Sequence, residues 1–166
     1  MYREYRMNPT NKLGYLIQHI AFVLSKQSDQ VLQEQLGIGL SQFKILMTLQ
    51  KNPKMQQRLI ADSLGQTEAS ISRQIKIMTN KGLLQTTISD DNHREHLTTL
   101  SLKGIKLTEA AMEVLRSYNK PMFDQINDKQ QDQLLQILLS LHQHTCQPGK
   151  LAACMHQFKE VTVKGR

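Results

Sequence analysis

Two cysteines, Cys146 and Cys154, are all the thiol chemistry in this chain, and they stand eight positions apart. So sparse a pair makes no disulfide framework, and both are expected to be reduced. There is no run of the roughly 18 to 20 apolar residues that a membrane span needs, and the opening MYREYRMNPTNK has no apolar export core. Neither insertion nor secretion is expected, and the expected location is the cytoplasm. Catalytic signatures are missing too: no glycine-rich phosphate loop, no His-Glu-x-x-His, no nucleophile elbow. Asp90 and Asp91 are adjacent, but a carboxylate pair among turn formers reads as a solvated hairpin tip. The expected protein is not an enzyme and needs no cofactor. Internal repeats are absent, and glutamine is dispersed rather than gathered in a tract.

Negative charge is in short supply. The 166 residues hold 21 Lys and Arg against 14 Asp and Glu, a formal net charge of +7, which favours polyanionic partners. Residues 1–106 carry net +6 and the tail from 148 carries +3, whereas residues 107–147 come out at −2. That acidic block suits packing against itself or a partner better than it suits a nucleic acid. The length fits one domain with a sizeable core.

Periodicity divides the chain into helices. Over residues 11–33, Leu13, Leu16, Ile17, Ile20 and Leu24 recur at helical spacing, and Gly37 and Gly39 end the run. Ser41 is the expected N-cap of a second helix, SQFKILMTLQK, with Phe43, Leu46, Met47 and Leu49 inward and a stop at Asn52-Pro53. A third helix over residues 56–64 is expected to bury Leu59, Ile60 and Leu64 before Gly65. Ser101 caps a fifth over residues 101–118, and Pro121 interrupts or kinks the passage to the sixth. That last helix spans residues 128–144, with Leu134, Leu135, Ile137, Leu138 and Leu141 as its stripe.

The stretch QQRLIADSLGQTEASISRQIKIMTNKGLL, followed by TTISDDNHREHLTTLSLKG, carries the most information. It reads as two short helices joined at Gly65, then two β-prone segments around a charged turn: a winged helix-turn-helix, with a two-stranded wing, that lays one helix in the major groove. Thr67 caps that helix. Ile71, Ile75 and Met78 fall on one face, and Gln66, Ala69, Ser70, Arg73 and Lys76 cluster opposite, with Ser72 and Ile77 at the margins. That outer cluster is small, polar and basic, with no carboxylate at its centre. A guanidinium at Arg73 can bridge guanine acceptors or clamp a phosphate. Arg94, a planar cation on a thin hairpin, suits a narrow minor groove. As lone surface charges, the two arginines would need no function at all.

Over residues 11–145 the chain resembles the multiple-antibiotic-resistance regulator (MarR) family of bacterial transcription factors. IADSLGQTEASISRQIKIMTNKGLL is similar to the family's helix-turn-helix, and HREHLTTLSLKG to its wing strand and following helix. The resemblance implies that Ser70, Ser72, Arg73 and Gln74 meet bases and phosphates and that Arg94 is the wing-tip arginine. The family's usual aspartate two residues before that arginine is Asn92 here, so the hairpin is braced differently. The resemblance further implies a homodimer in which the first, fifth and sixth helices interlock, and an effector cleft between those helices and the DNA-binding lobe. Tyr15, His19, Phe22 and Met112 are the candidates for lining it, although such residues at helical spacing usually fill a core.

His142, His144 and Cys146 form an H-x-H-x-C cluster. Alternate residues on a helix stand about 200° apart, so a metal site would need the helix to fray and a fourth ligand from His156 or Cys154. No metal is expected. A thiol switch between Cys146 and Cys154 is disfavoured for want of a basic neighbour.

The expectation is a mainly α, winged helix-turn-helix chain with one domain over residues 1–147. Residues 41–101 form the DNA-binding unit, residues 11–35 and 102–145 the dimerisation helices, and residues 148–166 a tail. It would bind double-stranded DNA as a homodimer and regulate transcription, as a repressor released by a small molecule or stress signal, with no membrane partner. Two rivals are a dimeric protein-interaction module of the same fold and a metal or thiol sensor built on the His/Cys-containing tail.

Overall fold

Asn8 and Pro9 open the first helix. The Asn8 side chain accepts the Thr10 N–H at 3.1 Å, and Pro9 sits in the first turn, where its missing N–H costs nothing. The computed structural model describes residues 8–88 and 96–145. Its elements run α1 (Pro9–Leu36), α2 (Leu40–Lys51), β1 (Met55–Gln56), α3 (Gln57–Leu64), α4 (Glu68–Asn80), β2 (Leu84–Ile88), β3 (His96–Leu100), α5 (Leu102–Phe123) and α6 (Asp128–Thr145). The chain is mainly helical with a small antiparallel sheet, and no described helix is long and apolar enough to cross a membrane.

The expected Ser41 cap does not form. α2 starts one residue earlier, with Gly39 at its N-cap, and Asp29 Oδ1 on α1 accepts the Leu40 N–H at 2.7 Å. A carboxylate at a helix N-terminus gains from the helix dipole as well as from the hydrogen bond. Gly39 leaves it room, since a Cβ there would stand 3.0 Å from the same oxygen. α1 and α2 are thus joined by a polar contact that no local pattern announces.

Pro121 does not interrupt α5, which continues to Phe123. Only the Ser117 carbonyl loses its amide partner, and Ser117 is exposed, so water can replace the bond. α6 starts from a reciprocal cap: Asn127 Oδ1 accepts the Gln130 N–H and Gln130 Oε1 accepts the Asn127 N–H, both at 3.0 Å.

The two wing strands, β2 and β3, belong to a sheet of three in the order β1-β3-β2. β2 and β3 pair from Leu84↔Leu100 to Ile88↔His96, and Met55 and Gln56 add the extra edge opposite Thr98 and Leu97. Two residues are too few to show the alternation that marks a strand.

The core lies where α2, α3, α4 and the C-terminal part of α1 meet the start of the sheet and α5. Leu32, Ile38, Ile45, Leu46, Leu49, Ile60, Ala61, Ile71, Ile75, Met78, Leu83, Leu84 and Ala111 are its buried members. Leu59 is not among them: it is 49% exposed. On an eight-residue helix whose buried side is set by Ile60 and Ala61, Leu59 is turned outward. The terminal stripes do not close a monomeric core either. Leu13, Leu16, Ile17 and Ile20 are all exposed on α1, and α6 buries no residue.

α5 is seated hard against the start of β2. The Ser101 hydroxyl accepts the Gly104 N–H at 3.0 Å and donates to the Gly82 carbonyl at 2.7 Å, and a Cβ on Gly104 would run into the Leu83 carbonyl oxygen. Gly104→Ala is expected to cost about 1 to 3 kcal/mol through overpacking, read as a lower urea midpoint. An unchanged midpoint would mean that α5 can back away freely.

Candidate nucleic-acid interface

The turn between α3 and α4 is built from backbone bonds that glycine permits. Gly65 adopts φ 60°, the left-handed region, and the Gln66 N–H reaches back to the Ala61 carbonyl at 3.0 Å. Thr67 then accepts the Ser70 N–H at 3.2 Å and caps α4. At about 100° per residue, Ile71, Ile75 and Met78 share one side of α4 and Arg73 points almost straight away from it. The burial agrees, since these three are sealed in the core while Ala69, Ser72, Arg73 and Lys76 are exposed. Among the described residues, neither Arg73 nor Lys76 has a carboxylate partner in a salt bridge. Their charges face water on a helix of 13 residues, about 20 Å long, narrow enough for a major groove about 12 Å wide.

Two residues of the expected outer cluster are engaged elsewhere. Gln66 is half-buried and donates from Nε2 to Ser41 Oγ at 3.3 Å, and Gln74 is half-buried with Oε1 accepting from Gln42 Nε2 at 3.0 Å. Gln66 precedes the Thr67 cap, so helical angles do not apply to it. Ser70 is half-buried beside the cap. Ile77, placed by sequence at the margin, is 44% exposed on the same outward side as Arg73. Gln42 had no sequence signal, because its partner lies 32 residues away. Arg94 and Asn92 lie outside the described residues; β2 and β3 end at Ile88 and His96 on either side of that segment.

The cleft candidates do not converge in the single chain. Phe22 lines an open groove of about 560 Å³ with Lys26, Asp29, Ser41, Lys44 and Gln66. Met112 lines another of about 610 Å³ with Phe43, Leu115, Phe123 and Asp128. Tyr15 and His19 line neither; their rings stack on each other at 5.8 Å, while Lys26 lies over the Phe22 ring. Of the His/Cys cluster, His142 and His144 remain on α6, which stays helical to Thr145, and Cys146 and Cys154 lie outside the described residues. On α5, the Arg116 guanidinium and the Ser117 hydroxyl hold the Glu113 carboxyl below its ordinary range, and Glu113 in turn raises Arg116. Both are exposed, so the pair contributes little stability.

A three-helix unit with a capped, outward-facing fourth helix, followed by a β-hairpin, defines a winged helix-turn-helix fold. The sequence model of the MarR family matches residues 36–95 of the chain. Solved structures of that kind superpose over most of the chain. MarR from E. coli is 17% identical, covers 78% of this chain and 95% of its own, and gives a TM-score of 0.72. MepR, a transcription regulator of the Staphylococcus aureus multidrug efflux pump MepA, is 23% identical over 80% of this chain and 98% of its own, with a TM-score of 0.65. A MepR–DNA complex superposes with a TM-score of 0.66 at 23% identity, over 81% of this chain and 98% of that one. At these identities the likeness establishes the fold. No curated sequence matches the chain.

Thr67→Ala removes the only side-chain cap on α4 and is expected to cost about 1 kcal/mol. Thr67→Ser should restore most of it in thermal unfolding. Equal midpoints for all three proteins would show that the cap does not hold α4.

Proposed function

We propose that this chain is a transcriptional regulator that binds double-stranded DNA sequence-specifically as a homodimer. The observation that carries the reading is the outward ridge of α4, where Arg73 and Lys76 stand exposed, free of carboxylate partners among the described residues, beside Ala69 and Ser72. Small side chains let the helix approach base edges closely, and the cations supply phosphate or guanine contacts. Ser70 contributes through its side chain at the first turn, its N–H being taken by the Thr67 cap, and Arg94 extends the contact to the minor groove. The DNA-bound state of MepR supports the same use of the fold.

Homodimer formation rests on a different observation. The apolar faces of α1, α5 and α6 are exposed together: Leu13, Ile17 and Ile20 on the first, Met112, Met122 and Phe123 on the second, Ile137, Leu138 and Leu141 on the third. A monomer rarely leaves so much apolar surface in water. Burying it against a second copy presents two copies of α4 to half-sites about 34 to 36 Å apart. The reading extends to repression relieved by an effector. A ligand in the open grooves beside α1 and α5 would release DNA only by binding better to the spacing of the two lobes that does not fit the operator.

The test begins with genomic fragments retained by the purified protein at near-physiological salt, which should share an inverted repeat. On that operator, Arg73→Ala should lose about 1 to 3 kcal/mol per recognition helix. Unchanged affinity and unchanged salt dependence would remove Arg73 from the interface. For assembly, Ile137→Glu should yield a helical monomer in sedimentation equilibrium, and a persistent dimer would move the interface elsewhere.

A further inference from the structure

Two adjacent residues in the first turn of α2 hold the reading unit at two points. Ser41 Oγ accepts from Gln66, in the turn before α4, and Gln42 Nε2 donates to Gln74 Oε1, in the second turn of α4. All four are half-buried. The turn of α2 that carries Ser41 and Gln42 is itself fixed, because Asp29 on α1 caps it through Leu40 N–H.

Between its two ends, the support under α4 is otherwise aliphatic. Ile71, Ile75 and Met78 fix which side of α4 faces inward, but apolar burial has no directional preference and limits small rolls about that setting only weakly. Side-chain tips lie about 5 to 6 Å from a helix axis, so a roll of about 20° displaces them by about 2 Å. Recognition tolerates about 0.5 Å. Hydrogen bonds are directional and resist such a roll.

We propose that Gln42 is a positioning residue for base reading by α4, and that Gln74 serves as its partner rather than reading a base. This rests on the DNA-binding reading above. A base-reading Gln74 would need both amide ends free to face an adenine edge. Here its oxygen is occupied, and its position on α4 is turned about 60° from the buried side rather than outward. The amide pair therefore sets where Arg73 and Lys76 point without touching DNA.

The experiment is a double-substitution cycle with Gln42→Met and Gln74→Met, which keep length and helix preference while removing the hydrogen bond. Affinity is measured on the recovered operator and on its single-base variants, with sedimentation as a check on assembly. Each single substitution is expected to weaken operator binding about tenfold, equivalent to about 1.4 kcal/mol. The double substitution should weaken it no further. Preference should flatten at every position under α4 while the salt slope stays as in the unaltered protein, a pattern that general loss of stability does not produce. A loss confined to Gln74→Met and to one base pair overturns the proposal, as does strict additivity. The same cycle in urea reads the bond without DNA, and additive midpoints there also overturn it. Failure of the parent reading is distinguishable: the unaltered protein then shows no preferred sequence and Arg73→Ala changes nothing. Failure of the Gln42 proposal alone leaves a preferred operator that Gln42→Met binds as well.

Discussion

Burial of Ile71, Ile75 and Met78 orients every other part of this molecule. With those three side chains committed to the core, the opposite side of α4 can only face solvent, and Arg73 is carried there by helical geometry. The Gly65 turn and the Thr67 cap set where the helix begins. The Ser101 hydroxyl, tied to the Gly82 carbonyl, sets where the wing and α5 leave its far end. Lys81 adds a further tie, its ammonium donating to the Gly37 carbonyl at the end of α1. α4 is therefore held at both ends.

The apolar surface is distributed unevenly. Its centre is sealed, while the first turns of α1, the outer face of α5 and all of α6 expose leucine, isoleucine, methionine and phenylalanine. Such a layout makes the outer helices dependent on another surface. It also couples them to α4, since α1 contributes Asp29 to the start of α2 and α2 contributes Ser41 and Gln42 to the α3–α4 unit. In the proposed dimer, a shift of α1 reaches α4 through those few polar contacts as well as through the core.

Much of the helical frame was legible in the sequence because it rests on local rules. Glycine at 37, 65 and 82 adopts positive φ at the end of a helix or just after it, and Thr67 and Ser101 cap as their positions suggest. Gln66 and Gln74, read from the sequence as groove-facing, are instead spent on side chains of α2. Ser41 looked like a cap and is an acceptor, because Asp29 on another helix took its place. Leu59 looked buried and is not, since a short helix has only one covered side.

Residue order alone was thus enough for most of the elements and for the face that most of them hide, because period, caps and turns act over a few residues. Which polar groups pair across elements was settled by packing: Asp29 with Leu40 across 11 residues, Gln42 with Gln74 across 32, and Met55 beside Thr98 as a third strand. Those contacts join segments distant along the chain, and a hydrogen bond between them has no period to betray it.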